Sequence, residues 1–192
     1  MQNEIEAKFL DINKAKIRQK LKQLGATLEK PEVLMRRVVF QTDKHSFARV
    51  RDEGDQIVMT YKHVVDGHSI LGTKEVNVKV NDYDAAILLL KCCGLKAKAN
   101  EETKREIWRL KNTEICIDTW PWIPPFIEIE APSAAEVWEL AKKLGFTKDQ
   151  AKFGSVDTIY QHYFGVEPDI VNSHTPEILF NMQPPTWVKE LS

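Results

Sequence analysis

The sequence predicts an α+β protein in which helices flank an antiparallel β-sheet or β-barrel. Three observations lead to this fold class. About eight segments alternate apolar and polar residues with the period of two that is typical of strands. Most of these segments form hairpins around short turns, at 53–55 and 111–113. Helical segments enter at only three or four points, which disfavours the regular helix–strand alternation of a doubly wound parallel sheet.

The predicted elements follow one another along the chain without an internal repeat. A strand comes first, because charged and apolar residues alternate in MQNEIEAKFL. The later strands are predicted at 33–43, 46–63 as a hairpin, 73–80, 104–120 as a second hairpin, and 126–132. The helices are predicted at 11–26, 82–95, 133–145 and 157–165.

Capping and stop residues define the ends of the predicted helices. Gly25 ends the first helix. Asp82 caps the second helix, and Gly94 ends it. Ser133 caps the third helix, and Glu136 completes a capping box with it. These local signals agree with the apolar periodicity, so the helices are predicted from two independent features.

Length and composition limit the class of protein. The 192 residues fit one domain, predicted at 1–165, with a proline-containing extension at 166–192. A net charge of −1 disfavours a broad basic surface for a nucleic-acid duplex. The longest apolar run, at 85–90, is too short to span a membrane, and no leader segment is recognised. Three cysteines form a poor disulfide framework, so reduced thiols in the cytoplasm are expected.

Ionisable residues recur at every second position in most of the predicted strands, and these faces could converge on one interior. The residues in question are Glu4, Glu6, Lys8, Arg49, Arg51, Lys62, Glu75, Arg105, Asp118, Glu128 and Glu130. Grouped carboxylates suit a hard cation such as Mg²⁺ or Mn²⁺, and grouped Arg and Lys side chains suit phosphate oxygens. Together they are the two halves of a phosphoryl-transfer site. The alternative is an ordinary sheet with one charged face in water.

The same residues resemble the CYTH domain, also called the triphosphate tunnel metalloenzyme family. The Glu-x-Glu-x-Lys hallmark of this family is matched by EIEAK at 4–8. The likeness continues in order through ARVR, TYK, KEV, REIW, CIDTWP and FIEIE, and covers about residues 1–165. The resemblance implies an eight-stranded antiparallel β-barrel that forms a tunnel, with a triphosphate bound inside it.

The resemblance also implies roles for individual residues. The implied ligands of Mg²⁺ or Mn²⁺ are Glu4, Glu6, Glu128 and Glu130. The implied triphosphate-binding residues are Lys8, Arg49, Arg51, Lys62, Arg105 and Lys152. The implied acids that orient these cations are Glu75 and Asp118. Lys8 and Glu6 are the implied catalytic residues, and surrounding cations are expected to lower the pKa of Lys8 towards that of a base.

Two positions depart from the family pattern. Asn77 stands where many members have a second Glu, and Thr103 stands where many have a Lys. The expected consequence is a set of triphosphate-binding residues with one positive charge fewer than usual, which affects affinity more than fold.

The expected function is metal-dependent processing of a small-molecule triphosphate, with hydrolysis of inorganic triphosphate or a nucleoside triphosphate as the leading hypothesis. A class IV adenylyl cyclase, which converts ATP to cyclic AMP and pyrophosphate, is the first alternative. A non-catalytic polyphosphate-binding module is the second. The motifs recognise the triphosphate and not the group attached to it, so the hypotheses stay open at this point. The resemblance also implies a homodimer, and no membrane partner is expected.

Overall fold

The computed structural model describes residues 1–189. Its strands are β1 Gln2–Glu4, β2 Glu6–Phe9, β3 Thr27–Asp43, β4 Ser46–Asp52, β5 Ile57–Val64, β6 Thr73–Val80, β7 Lys96–Leu110, β8 Thr113–Thr119, β9 Phe126–Glu130 and β10 Glu177–Ile178. Its helices are α1 Lys14–Gln23, α2 Tyr83–Cys92, α3 Ala134–Leu144, α4 Asp157–Phe164 and α5 Pro168–His174, with a 3₁₀ turn at Lys148–Gln150. Among the residues described, no helix combines the length and apolar character needed to cross a membrane.

The strands form a nearly closed antiparallel β-barrel, as predicted. The hydrogen-bonded order is β1-β6-β5-β4-β3-β7-β8-β9-β2. Both ends of this path belong to the first segment of the chain, because β1 pairs with β6 and β2 pairs with β9. The predicted first strand is therefore broken at Ile5, where the segment changes from one neighbour to the other. Counting β1 and β2 as two halves of one strand gives the predicted eight barrel strands.

Two strands are longer than predicted. The strand expected at 33–43 begins at Thr27, and it tolerates Pro31 because the β3–β7 register shifts on both sides of Lys30. Such irregularities are where a strand accepts proline, which has no N–H for the ladder. The strand expected from 104 begins at Lys96, in a stretch whose Lys, Ala and Asn residues are poor strand formers. Pairing with β3 on one side, and with β10 on the other at Asn100, holds this stretch extended.

Apolar clusters on the outside of the barrel fix the helices. α1 and α3 cover one side through residues such as Leu21 and Leu144, and α2 covers another through Ala86. α4 and the chain after residue 165 form a third cluster, in which Val171 and Ile178 are buried. The proline-containing extension thus contains a short helix and a short strand, which pack on the barrel. The strands supply most of the lining of the barrel interior, and α4 and α5 contribute residues such as Asp157 and Asp169.

Candidate active site

A cavity of about 680 Å³ lies inside the barrel, and inward-facing charged side chains line it. Alternation along each strand explains this lining, since every second side chain points to the interior. The structure brings together eight of the predicted site residues at the cavity wall: Glu4, Glu6, Lys8, Arg49, Lys62, Arg105, Glu128 and Glu130. The charged faces of these strands therefore converge on one interior.

Three carboxylates form a group on one wall of this cavity. One oxygen each from Glu4, Glu6 and Glu130 lies within 4.8 Å of the others. Glu6 and Glu130 are direct partners in the β2–β9 ladder, which explains their proximity. Burial, and then repulsion from Glu4 and Glu6, raise the pKa of Glu130 to about 8. Grouped oxygen donors of like charge are the ligand chemistry of a hard divalent cation, so these three residues could hold one.

Glu128 lies outside this group and contacts Arg105 and Lys8. Its Oε2 atom is 2.5 Å from Arg105 Nη2, and its Oε1 atom is 3.5 Å from Lys8 Nζ. Burial opposes ionisation, but Arg105 and Lys8 hold the pKa of Glu128 well below its usual range. Of the four predicted metal ligands, three are thus grouped and Glu128 lies apart from them.

Lys8 is buried between acids. Its ammonium group donates a hydrogen bond to Glu6 and faces Glu128. Burial alone would lower the pKa of Lys8, but these carboxylates raise it above its ordinary value. This direction is opposite to the one expected from the sequence, because the charges nearest to Lys8 are carboxylates and not the other cations.

The two predicted orienting acids each contact a predicted triphosphate-binding cation. Glu75 lies 3.3 Å from Lys62 Nζ, which also donates to both oxygens of Glu4 at 2.5 and 2.6 Å. Asp118 is fully buried and accepts two hydrogen bonds from Arg105, at 2.7 and 2.5 Å. A bidentate pair of this kind fixes the plane of the guanidinium group. Both cations line the cavity, and each is held in position by two carboxylates.

Arg51 and Lys152 differ from the other predicted site residues, because neither is among the described side chains that line the cavity. Arg51 Nε donates to Glu53 at 2.8 Å, so its charge is already neutralised. Lys152 contributes its backbone, which exchanges hydrogen bonds of 3.0 and 2.9 Å with the backbone of Lys8. This bridge attaches the segment before α4 to the barrel, and Ser155 of that segment does line the cavity.

Sequence reasoning missed several residues that line the cavity. Arg37 on β3 is the most notable, because it adds a cation to a site that was expected to be one positive charge short at Thr103. Its guanidinium carbon lies 4.7 Å from the centre of the Trp120 ring. The sequence did contain a signal for this residue. Arg36 and Arg37 are adjacent in a predicted strand, so alternation directs one of the two side chains into the barrel. Lys98 and Glu101 lie in the part of β7 that was not predicted as a strand, and they were missed for that reason.

Several solved structures share this fold. The PH1012 protein from Pyrococcus horikoshii is 26% identical, with a TM-score of 0.68 over 78% of this chain and 94% of that one. A candidate adenylate cyclase from Vibrio parahaemolyticus is 13% identical, with a TM-score of 0.71 over 82% and 97%. A candidate adenylyl cyclase from Hippeastrum, described as having a dominant triphosphatase activity, is 13% identical, with a TM-score of 0.54 over 87% and 97%. At 13% identity these likenesses show the fold alone.

The sequence comparisons identify the family. A comparison with curated proteins finds no matching sequence. The family model of the CYTH domain matches residues 2–163, which is most of the chain and includes every strand of the barrel. Members of this family are typically metal-dependent enzymes that bind triphosphates, and the acidic group and the charged interior found here agree with that pattern. The chain belongs to the CYTH domain family.

Proposed function

We propose that the protein is a metal-dependent triphosphatase that hydrolyses inorganic triphosphate or a nucleoside triphosphate. One observation carries the proposal: a single cavity places the carboxylate group of Glu4, Glu6 and Glu130 beside cations that converge from other strands. Arg and Lys side chains bind phosphoryl oxygens, and a group of carboxylates suits the divalent cation that accompanies a polyphosphate. Both kinds of group line the same cavity, which supports the proposal.

The cations of the site would bind and align the substrate. Arg49, Lys62 and Arg105 would donate hydrogen bonds to the phosphoryl oxygens, with Glu75 and Asp118 keeping the last two in place. Alignment of this kind holds the terminal phosphoryl group in line for attack by water. The water oxygen would form a bond to the terminal phosphorus and lose a proton, while the bond from that phosphorus to the bridging oxygen breaks. The products are orthophosphate and the departing pyrophosphate or nucleoside diphosphate.

A divalent ion, Mg²⁺ or Mn²⁺, fits the carboxylate group by its ligand chemistry. When bound, it would polarise a phosphoryl oxygen and favour deprotonation of the attacking water. Lys8 donates a hydrogen bond to Glu6, and its raised pKa keeps it protonated. Its positive charge would therefore stabilise the negative charge that develops on the bridging oxygen. We assign Lys8 and Glu6 the catalytic roles on this basis.

Two further parts of the proposal concern the state of the protein in the cell. The three cysteines have free thiols, which supports a reducing compartment, and the cytoplasm is proposed. A homodimer is proposed as well, and sedimentation of the purified protein would test it.

A product assay tests the function. The purified protein is incubated with inorganic triphosphate, and separately with ATP, under Mg²⁺ and then Mn²⁺, and the products are resolved. Release of phosphate without cyclic AMP is the expected result. Formation of cyclic AMP and pyrophosphate would show an adenylyl cyclase instead. Tight, metal-independent binding of both compounds without turnover would show a polyphosphate-binding module.

Variants of the carboxylate group test the metal assignment. Glu4→Gln, Glu6→Gln and Glu130→Gln should each lower activity on the order of 100-fold and weaken Mg²⁺ binding, because each removes a charged donor. Glu139→Gln is the matched control, since this carboxylate is exposed on α3 and far from the cavity lining. Full activity in the three variants would contradict the assignment.

A further inference from the structure

We propose that Arg37 binds the phosphoryl group of the triphosphate that lies farthest from the carboxylate group, and that it thereby distinguishes triphosphates from diphosphates. The inference rests on the proposed function, because it names the residue that recognises the length of the ligand. Three observations support it: the unpartnered N–H groups of Arg37, the residues that line the cavity with it, and its position along the strand relative to Lys62.

Arg37 is a buried cation whose donors find no acceptor in the part of the chain that the structure describes. Its side chain lines the cavity, the residue is only 5% exposed, and its Nε and Nη2 atoms have no partner among the described residues. The same is true of Arg49 Nε on the neighbouring strand. By contrast, Lys8, Lys62 and Arg105 all donate to carboxylates. A buried charged donor without an acceptor is costly, so these two guanidinium groups are the part of the interior that an anion would complete.

The surroundings of Arg37 favour an anion over a protein partner. Arg51 is its direct partner in the β3–β4 ladder, and Glu101 is its partner in the β3–β7 ladder. Burial, and then repulsion from Arg51 and Arg49, lower the pKa of Arg37 to about 9, while Glu101 acts weakly in the opposite direction. The ring of Trp120 covers one face of the guanidinium group and fixes its plane. Arg49, two residues from Arg51 on β4, lines the same cavity as Arg37.

The ladder register places Arg37 at one end of the row of cations. Arg51, the partner of Arg37, is four residues along β4 from Phe47, and Phe47 is the partner of Lys62. Lys62 in turn bonds Glu4 of the carboxylate group. At 3.3–3.4 Å per residue, the ladder positions of Arg37 and Lys62 are about 13 Å apart, measured along β4. Arg49 lies between them, so a ligand anchored at the carboxylate group reaches Arg37 only with its far end.

The test compares Arg37→Gln with Arg36→Gln in the full chain. Arg36 is the adjacent residue on the outer face, where it pairs with Asp52 at 3.1 Å, and it serves as the matched control. Arg37→Gln should raise the KM for inorganic triphosphate about 10- to 100-fold, the usual effect of a lost hydrogen bond to a charged group, and leave the inhibition constant of pyrophosphate within about twofold. Arg37→Lys should recover part of the loss, because it restores the charge without the planar donors.

A merely structural role predicts a different pattern. Removal of an unpartnered buried charge should leave the Tm unchanged or raise it, whereas loss of a structural contact would lower the Tm. A lowered Tm with equal losses for triphosphate and pyrophosphate would overturn the inference, as would an unchanged KM for triphosphate.

Binding of inorganic triphosphate in the presence of EDTA, measured by calorimetry, separates this inference from the proposed function. If the wild-type protein hydrolyses no triphosphate but binds it, and Arg37→Gln binds it at least tenfold more weakly, the proposed function fails and the role of Arg37 stands. If turnover is observed and binding is unaffected in Arg37→Gln, the proposed function stands and the role of Arg37 fails. If neither protein binds triphosphate in EDTA or in Mg²⁺, and no turnover is observed, both fail.

Discussion

Glu53 is the carboxylate whose removal has the most calculable effect on stability. It follows β4, is only 5% exposed, and accepts hydrogen bonds from Arg51 Nε at 2.8 Å and Gln56 Nε2 at 2.7 Å. Lys30 Nζ lies 3.8 Å from Glu53 Oε2, the oxygen that also accepts the hydrogen bond from Gln56. Burial opposes ionisation, but Arg51 and the hydrogen bond from Gln56 overcome it and lower the pKa of Glu53 from 4.5 to about 2. Glu53→Gln removes the charge and keeps the shape.

The size and sign of the effect follow from this pKa. A fall from 4.5 to about 2, at about 1.4 kcal/mol for each pH unit, stabilises the folded state by about 3 kcal/mol at pH 7. Because the pKa is depressed on folding, this contribution is complete above pH 4.5 and is lost as the pH falls towards 2. About 1.4 kcal/mol of it remains at pH 3. The free energy of unfolding of Glu53→Gln should therefore approach that of the wild type as the pH falls.

Urea unfolding followed by tryptophan fluorescence at pH 7 and pH 3 measures both values. Glu139→Gln is the control, because it removes a carboxylate from an exposed pair with Lys143 on α3 and should have no measurable effect. A difference between Glu53→Gln and the wild type that is the same at both pH values would refute the electrostatic reasoning. If Glu53→Gln lowers the free energy of unfolding by less than about 1 kcal/mol at pH 7, the calculated contribution of the Glu53 carboxylate is wrong.

Two other predictions concern buried groups. Arg105→Met leaves the fully buried Asp118 and its neighbour Glu128 without their shared cation, so it should lower the free energy of unfolding by about 3–5 kcal/mol in calorimetry. A loss below about 1 kcal/mol would show that these acids are solvated or protonated at little cost. A thiol reagent should modify Cys92 and Cys93, which are exposed, rapidly in the folded protein and Cys116 much more slowly, because burial raises the pKa of Cys116 and a reagent reaches it only through the cavity. Rapid modification of three thiols under native conditions would contradict the burial of Cys116.

The fold was largely predictable from the sequence, because it depends on local patterns that the chain repeats. Period-two alternation in segments such as 73–80 and 126–130 identifies strands and their inward faces. The caps at Asp82 and Ser133 form as predicted, each accepting a hydrogen bond from a backbone N–H in the first turn. The break at Ile5 was not predictable in this way, since it arises from pairing with two strands that are distant in sequence.

The details of the candidate site depend on contacts that local patterns do not contain. Glu128 and Glu130 are on the same face of β9, so alternation treats them alike. They differ because Arg105 reaches Glu128 from β7, while Glu130 lies opposite Glu6. Arg37 was missed for a similar reason, since its inward direction follows from the register of β3 with its neighbours.

The double pairing of the first segment has a consequence for the dynamics of the protein. Residues 2–9 form the seam of the barrel, and they also carry Glu4 and Glu6, two of the three grouped carboxylates. Detachment of this segment would open the barrel and dismantle the carboxylate group in one event. The partners in the seam are far apart in sequence, so it forms only after a large loop has closed. Any metal bound there would link the two sides of the seam, and its binding energy would oppose local unfolding.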